Sequence, residues 1–394
     1  MIRKGKIEKI VNGGFGLIRS EDGIVLINYS IPGEKVKYRI KERAKGVIWG
    51  ELTEIIEPDP KRVKPECIYF GKCGGCIFSH LEYEDQLKIK RGILKDDLKR
   101  IGKLDINCDR ILRSPEYMYR SRARFKGLSN GKIGFVKKGT NEVMEINSCM
   151  IISPEINQFL NKWNSMDNMP FFHQIDLFFN NTNNLLYVHL SEHPGNGFKT
   201  ISDNFKKTIF SWKGNEQFGE SILKVDKYSY HVSPDTFFQV NRFQWENMLE
   251  IADSWMSETE LSIDLYSGVG FFIPVLKKYS KKVIGVENSK RSVNLAKKNF
   301  KNTDLRRVPV EKFIFPDFNK IIIDPPRSGI PGNVLKDLIF SKPDTIINIS
   351  CSTATLARDL KSFIDNGYKI EEMIMIDMFP QTAHMETMTL LKLK

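Results

Sequence analysis

The chain has 394 residues, of which 41% are hydrophobic and 27% charged, a composition typical of a folded protein of two or three domains. No stretch approaches about 18 consecutive apolar residues, and the basic N-terminus lacks the apolar core of a secretory signal. We therefore expect a cytoplasmic protein with no membrane partner. The formal net charge is +12, and the segment from Gln86 to Thr140 alone contains 16 Lys or Arg and 5 Asp or Glu, a net charge of +11. This concentration of charge favours a polyanionic partner.

Residues 1–58 consist of short alternating segments separated by Asn-Gly, Asp-Gly and Pro-Gly turns, which predict a small antiparallel barrel of the five-stranded oligonucleotide-binding type. An unspecialised β module has the same periodicity. Contact with an RNA backbone is favoured by alternating basic residues, namely Lys35, Lys37, Arg39, Lys41, Arg43 and Lys45. The proline-rich segment from Pro58 to Cys67 predicts a linker.

Residues 59–230 are predicted to form a central, mostly β domain. It opens with a helix over residues 80–102 that has a basic exposed face, and strand-like segments follow from Ile111 to about Tyr230. Arg120, Arg122 and Arg124 alternate with smaller side chains and would project from one face of a strand. This face is either an RNA-binding surface or an ordinary solvated one.

Residues 231–394 alternate between strand and helix patterns, which predicts an α/β domain with a doubly wound, mostly parallel sheet. The predicted domains are therefore 1–58, 59–230 and 231–394.

Acidic residues end three of the predicted strands in this last domain. Asp264 is followed by a turn containing Gly268 and Gly270, and Glu287 and Asp324 end the other two strands. Because the carboxyl ends of parallel strands share one edge, these carboxylates should lie together where such sheets bind ligands. The turn departs from the dinucleotide pattern G-x-G-x-x-G, and an acidic edge suits the cationic S-adenosylmethionine better than a phosphate-rich cofactor. Any single acid could instead cap a helix.

Cys351 ends another predicted strand, directly before a helix that carries Arg358. A helix N-terminus and a nearby cation would lower the pKa of the thiol and make it a nucleophile, although a lone cysteine is often only structural. Glu386 precedes the last strand and could act as a general base or be an ordinary loop acid, and His384 is more typical of a packed or solvated histidine.

The spacing of Cys67, Cys73 and Cys76, with Gly74 and Gly75 between the last two, could hold a metal centre if a fourth ligand joins them. Zinc remains an alternative to iron and sulfur on spacing alone. Cys108 fits neither pattern and is interpreted as a structural thiol.

Five motifs resemble the RNA (uracil-5-)-methyltransferases, namely FFQVN at 237–241, DLYSGVGFF at 264–272, DPPRSG at 324–329, ISCSTATLARDL at 349–360 and HMET at 384–387. The C-x5-C-G-G-C motif at 67–76 resembles the iron-sulfur members that modify 23S rRNA and carry an N-terminal TRAM domain. This resemblance implies a Rossmann-like methyltransferase domain that uses S-adenosylmethionine. Cys351 would add to C6 of uracil, and Glu386 would remove the C5 proton. The implied cofactor-binding residues are Gln239, Tyr266, Phe271, Glu287 and Asp324.

The resemblance also implies a 4Fe-4S cluster bound by Cys67, Cys73, Cys76 and Cys149. The chain departs from the family at Ser352 and Thr353, where Asn-Pro is common. We expect 5-methyluridine formation in structured RNA by a monomer, with 23S rRNA as the favoured substrate. The alternatives are the T-loop uridine of tRNA, methylation of cytosine C5 in RNA, and a non-catalytic RNA-binding factor.

Overall fold

The computed structural model describes residues 2–44 and 46–394, so Lys45 lies outside the described residues. The N-terminal part forms a six-stranded sheet in the order β1-β5-β6-β4-β3-β2. Its strands are β1 (Ile2–Lys6), β2 (Lys9–Val11), β3 (Phe15–Ser20), β4 (Gly23–Ile27), β5 (Lys35–Ala44) and β6 (Val47–Glu57).

This sheet closes on itself because β1 and β2 are nearly continuous in the chain. β1 pairs with β5, whereas β2 pairs with β3 at the opposite end of the strand order. The structure differs from the predicted five-stranded antiparallel barrel in having six strands and one parallel pairing, that of β4 with β6. After β4 the chain crosses to β5, and β6 runs antiparallel to β5 and lies beside β4 in the same direction as β4.

The predicted first helix is confirmed as α1 (Tyr83–Arg100). Its buried face includes Leu87, Ile93, Leu94 and Leu98, while most of its exposed side chains are basic. Before α1, the linker is held to the barrel by Arg62, whose guanidinium donates to both oxygens of the fully buried Glu34.

The central part forms a second six-stranded sheet in the order β10-β9-β8-β11-β12-β13. The elements of this part are β7 (Arg110–Leu112), β8 (Arg122–Gly127), β9 (Ile133–Val136), β10 (Val143–Glu145), α2 (Pro154–Ser165), β11 (Gln174–Asn180), β12 (Leu185–Leu190), α3 (Phe198–Asn204), β13 (Thr208–Trp212), β14 (Ser221–Val225) and β15 (Tyr228–Val232). The mostly strand-like prediction omitted α2, which starts with a proline at its first position and buries Ile156, Phe159, Leu160 and Trp163 at helical spacing.

The C-terminal part confirms the predicted α/β architecture. Its elements are α4 (Trp245–Trp255), β16 (Thr259–Leu265), α5 (Ile273–Tyr279), β17 (Ser280–Glu287), α6 (Lys290–Asn299), β18 (Asp304–Arg307), β19 (Lys320–Ile323), α7 (Gly332–Ser341), β20 (Thr345–Ser350), α8 (Thr353–Asp365), β21 (Tyr368–Ile376) and β22 (Glu386–Leu393). The eight-stranded sheet has the order β18-β17-β16-β19-β20-β22-β21-β7. Strands β16 to β20 are parallel, and β22 is antiparallel to both of its neighbours.

Packing crosses the predicted domain boundaries, which themselves stay predictions. β7 pairs with β21 at the edge of the large sheet, and α1 shares a core with α8. The hairpin of β14 and β15 buries Leu223 and Tyr230 in the same core as Trp245. In the described part of the chain, no helix is long and apolar enough to span a bilayer.

Candidate active site

Five neighbouring strands bring one reactive residue each to a single edge of the eight-stranded sheet. In spatial order these residues are Glu287 at the end of β17, Asp264 near the end of β16, Asp324 after β19, Cys351 after β20 and Glu386 at the start of β22. Since β22 runs antiparallel, its first residue lies at the edge where the parallel strands end. In the register Thr387 pairs with Ser350, which brings Glu386 alongside Cys351.

Two carboxyl groups at this edge, those of Asp264 and Asp324, are desolvated by burial. Asp264 is 1% exposed, and its Oδ2 has no hydrogen-bond partner among the described residues. Burial, followed by the charges of Asp324 and Glu287, raises the pKa of Asp264 well above its usual value. Burial also raises the pKa of Asp324 to about 7, although Gln239 Nε2 donates to Asp324 Oδ2 at 3.1 Å and opposes the shift. A cationic ligand would satisfy such an edge.

Glu287 is held in place by the backbone of the glycine turn. Its Oε2 accepts from the N–H of Gly268 at 3.1 Å, and its Oε1 accepts from the N–H of Ser289 at 2.6 Å. Gly268 and Tyr266 both have positive φ, +55° and +67°, which makes the turn tight enough to reach this carboxylate. Each carboxylate oxygen keeps acceptor capacity for a ligand.

The other predicted cofactor-binding residues lie around the same turn. Gln239 is buried against Asp324, and the Tyr266 hydroxyl is buried with no hydrogen-bond partner among the described residues. The Phe271 ring packs with Phe238 and Phe272, at centroid distances of 5.4 and 4.8 Å. Their binding roles stay predictions.

Cys351 differs from its predicted electrostatic state. Burial, with the nearby charges of Glu386 and Asp324, raises the pKa of the thiol to about 11, and Arg327 opposes this rise. The expected lowering by the helix N-terminus and Arg358 is wrong, because the Arg358 guanidinium is bound to Asp359 and to the carbonyl of Ile330. The helix itself still starts as predicted, since the Ser352 side chain caps it.

Glu386 is a strongly desolvated acid. Its Oε2 is buried with no hydrogen-bond partner within the described ranges, and burial together with Asp324 raises its pKa well above the usual value. His384, two residues earlier, has its Nε2 3.2 Å from Nη2 of Arg327. Burial and the charge of Arg327 lower the pKa of His384 to about 4, so the imidazole is neutral near pH 7.

A cavity of about 120 Å³ opens at Cys351 and is lined by residues from three parts of the chain. The lining includes Arg327 and His384, Ile93 of α1, and Asn12 and Gly13 from the turn between β2 and β3 of the barrel. Sequence reasoning missed Arg327, although its place in DPPR directly after a strand end was a usable signal. Nothing local to the barrel turn indicated contact with a site more than 300 residues away.

The barrel turn is tied directly to the helix that follows Cys351. Asn12 Nδ2 donates to Thr353 Oγ1 and to Asp97 Oδ2, both at 2.9 Å, and Thr353 Oγ1 donates to Asp97 Oδ2 at 2.6 Å. The adjacent Gly14 has a φ of +79°, and a Cβ there would overlap Ile77 and lie 2.9 Å from Cβ of Ala383.

The four predicted ligand cysteines meet at one cavity of about 540 Å³, which Arg120 also lines. These residues are Cys67, Cys73, Cys76 and Cys149. Among the described residues, no group of three or more Cys, His, Asp or Glu side chains is arranged to hold a metal ion. Burial raises the pKa of Cys76 to about 12, and the other three thiols add to the shift while Arg120 opposes it. The four thiols therefore share one cavity, and their role as metal ligands stays a prediction.

The predicted arginine face is mostly engaged within the protein. Arg122 donates to the carbonyls of Ser233 and Pro234, and Arg124 Nε donates to Asp176 at 2.6 Å. Arg120, which precedes β8, and Arg124 both line the cysteine cavity. Neither alternative for this face, an RNA-binding surface or a solvated one, holds for Arg122, because its guanidinium donates to buried carbonyls.

Comparison with known proteins gives consistent similarities. The family model described as tRNA (Uracil-5-)-methyltransferase matches residues 213–314 and 312–394. An uncharacterized RNA methyltransferase of Aquifex aeolicus is 30% identical, with 98% of each chain covered, and one of Clostridium acetobutylicum is also 30% identical, with 98% of this chain and 96% of the relative covered. The crystal structure of the Pyrococcus abyssi tRNA (uracil-54, C5)-methyltransferase with S-adenosyl-L-homocysteine is 24% identical and has a TM-score of 0.78, with 98% of this chain and 99% of that chain covered. This last likeness shows a shared fold.

The raised pKa of Cys351 can be tested by alkylation. Only the thiolate reacts, so we expect reaction with iodoacetamide to be slow at neutral pH and to accelerate as the pH rises towards about 11. Glu386→Gln removes a neighbouring negative charge and should make Cys351 react faster at a given pH. Mass spectrometry of the Cys351 peptide measures both rates.

Cys108 is the internal control, because burial raises its pKa to about 11 without a contribution from Glu386. Its rate should be the same in the variant. Rapid alkylation of Cys351 at neutral pH would contradict the electrostatic description of the site.

Proposed function

We propose, since this chain belongs to the RNA (uracil-5-)-methyltransferase family, that it methylates C5 of a uridine in structured RNA with Cys351 as the nucleophile and Glu386 as the base. The activity as an RNA methyltransferase follows from the family. The observation that carries the assignment of roles is the sheet edge on which Cys351, Glu386 and Asp324 occupy neighbouring strands.

The acidic edge fits S-adenosylmethionine, which supplies a methyl group on a cationic sulfur. Asp264 and Asp324 are buried carboxyl groups with raised pKa values, and Oδ2 of Asp264 has no hydrogen-bond partner among the described residues. Glu287 is oriented by the glycine turn, and a carboxylate at this position of a parallel sheet suits ribose hydroxyls. A positive charge bound here would lower the pKa values of the surrounding carboxyl and thiol groups.

The residues at this edge account for the chemistry of an unreactive carbon. Uracil C5 is a poor nucleophile, so bond formation between Cys351 Sγ and C6 is needed to place an electron pair on C5, which then takes up the methyl group. Glu386 then accepts the C5 proton. The electron pair of the broken C5–H bond restores the ring double bond, and the bond from Cys351 Sγ to C6 breaks to release the thiolate. Burial suits Glu386 to this role, because a carboxylate of raised pKa is the stronger proton acceptor.

Arg327 contributes positive charge near Cys351, the proposed nucleophile. It lines the cavity with Cys351, contacts His384, and opposes the raised pKa values of both Cys351 and Glu386. We therefore assign Arg327 to stabilising the negative charge that passes between the thiolate and the ring. Because the cavity is small and recessed, the target base has to leave its stack to reach it.

A 4Fe-4S cluster is our proposal for the cysteine cavity, with Cys67, Cys73, Cys76 and Cys149 as ligands and zinc as the alternative metal. When bound, it would act as a covalent tie between the linker and the central sheet. The barrel is proposed to be a TRAM domain of the oligonucleotide-binding type, supported by its closed order of strands with one parallel pairing.

The RNA class is proposed to be 23S rRNA, as the cysteine motif implies. Transfer RNA is the second candidate because the Pyrococcus abyssi enzyme, which is named for uracil 54 of tRNA, matches over nearly the whole chain. The general fold is therefore common to at least one enzyme named for tRNA.

Two substitutions test the catalytic roles. Cys351→Ala should abolish methyl transfer while leaving RNA and methyl-donor binding intact, because it removes the sulfur that activates C5. Glu386→Gln should still form the methylated covalent adduct but release it about 10²- to 10⁴-fold more slowly, since the proton acceptor is gone. Denaturing gels with a radiolabelled methyl donor measure adduct and product together.

Cys108→Ala is the matched control and should retain activity. Cys108 is buried, with its Sγ 3.4 Å from the carbonyl oxygen of Met373, and does not line the cavity at Cys351. Appreciable turnover by Cys351→Ala would remove the proposed nucleophile. Methylation of an RNA whose only pyrimidine is cytidine would instead assign the chain to cytosine chemistry.

The RNA class can be tested by mapping 5-methyluridine in cells with and without the protein. We expect one site in 23S rRNA to lose the modification and to regain it when the wild-type chain, but not Cys351→Ala, is restored. Mass spectrometry of purified rRNA and tRNA fragments measures this. Loss confined to the T loop of tRNA would establish the second candidate.

The metal assignment can be tested by anaerobic purification. The protein should be brown and contain about four irons per chain, as a cluster bound by four cysteines requires. Cys76→Ser should lose the colour, whereas Cys108→Ser should keep it because Cys108 does not line the cavity. Colourless wild-type protein with stoichiometric zinc would contradict the iron-sulfur proposal.

A further inference from the structure

The residues that precede Glu386 form an irregular connection, the 377–385 segment, between β21 and β22. Strand pairing holds Glu386 itself, opposite Ile376, but stops there. Ala383 and His384 of this segment line the cavity at Cys351. The position of the backbone just before Glu386 therefore depends on the contacts that the 377–385 segment makes with the rest of the protein.

Gln86 of α1 binds the middle of this segment with its whole side-chain amide. Gln86 is completely buried, and its Oε1 accepts from the N–H of Gln381 at 2.9 Å. Its Nε2 donates to the carbonyl of Leu81 at 3.0 Å and to Oε1 of Gln381 at 3.2 Å. All of these partners are internal, so water cannot easily replace the amide if it is removed.

Lys90, one helical turn further along α1, binds the start of the same segment. Lys90 and Asp377 are both completely buried, with Lys90 Nζ 2.5 Å from Asp377 Oδ1 and 2.9 Å from the carbonyl oxygen of Phe379. Burying two charges is costly unless their geometry is well defined, so this pair restricts where the segment can begin.

Gln381, in the middle of the segment, has an unfavourable backbone conformation. Its φ is +69°, a conformation that is unfavourable for a residue with a Cβ and persists only where the surroundings enforce it. The Gln381 carbonyl accepts from the N–H groups of Ile77 and Phe78, at 3.0 and 2.9 Å. Gln381 is therefore held both by the residues that follow Cys76 and by Gln86 of α1.

We propose that Gln86 and Lys90 are positioning residues for proton removal by Glu386. This inference rests on the proposed function, in which Glu386 is the base. A general base works only within hydrogen-bonding reach of the proton it removes, and a displacement of about 1 Å can cost about 10²-fold in rate. Cys351 enters the site from β20, which neither residue contacts through the hydrogen bonds described above. Loss of the α1 contacts should therefore impair the late deprotonation more than the early bond formation.

The test is the balance between adduct and product in Gln86→Met, which keeps the side-chain volume but removes every hydrogen bond. We expect product release to slow by roughly tenfold to a hundredfold while the methylated covalent adduct accumulates on ordinary uridine RNA. Binding of RNA and of the methyl donor should be unchanged. A variant that is merely less stable would lose adduct and product in parallel.

Gln244→Met is the matched control, because Gln244 is also completely buried but its side-chain amide donates to the carbonyl of Arg113 rather than to a residue of the 377–385 segment. It should show no excess adduct. Gln86→Glu, which keeps an acceptor for the Gln381 N–H, should accumulate less adduct than Gln86→Met and carries the test if Gln86→Met does not fold.

Parallel loss of adduct and product in both Gln86 variants, or equal behaviour of Gln86→Met and Gln244→Met, would overturn the positioning role. The Glu386→Gln variant, measured in the same assay, distinguishes a failure of the positioning role from a failure of the proposed function. Accumulation of adduct in Glu386→Gln but not in the Gln86 variants rejects the positioning role alone, whereas no accumulation in Glu386→Gln rejects Glu386 as the base and the inference with it.

Discussion

The exclusion of water from carboxyl groups at one sheet edge determines the electrostatics of this candidate active site. Asp264, Asp324 and Glu386 all have raised pKa values, chiefly because burial disfavours their charged forms. Such groups hold protons more tightly in the folded chain than in the unfolded chain, so their contribution to stability declines as the pH rises through their folded-state pKa values, about 7 for Asp324. A cation bound at this edge would favour the ionised carboxylates and lower their pKa values, and a sulfonium is such a cation.

The edge can be built this way because each of its residues comes from a different strand of one rigid sheet. Parallel order brings the ends of β17, β16, β19 and β20 together, and the antiparallel β22 adds its first residue to the same edge. The remaining walls come from parts of the chain far away in sequence. The barrel contributes Asn12, and α1 holds the connection that leads into Glu386. Different contacts thus hold the two proposed catalytic residues: Asn12 and Asp97 bind Thr353 beside Cys351, whereas Gln86 and Lys90 bind the connection before Glu386.

Much of this site could be predicted from local patterns, and the parts that could not are those created by folding. A strand end marked by an acid or a cysteine is a local signal, so Asp264, Glu287, Asp324 and Cys351 can be identified from the amino-acid sequence alone. The thiol pKa was predicted in the wrong direction because local sequence indicates a helix terminus but says nothing of burial or of Glu386 across the sheet. The parallel pairing of β4 with β6 and the internal use of Arg122 are likewise long-range consequences of packing.

The close approach at Gly14 bears on how the N-terminal barrel relates to the rest of the molecule. With no side chain of its own, Gly14 lets the barrel turn sit directly on Ile77 and Ala383. A truncated protein that began after residue 58 would uncover these apolar side chains to solvent and lack one wall beside Cys351. The first 58 residues therefore form part of the wall beside Cys351 in the proposed catalytic centre and are not an interchangeable attachment. A barrel transplanted from a relative would fit only where its turn also lacks a side chain at the position of Gly14.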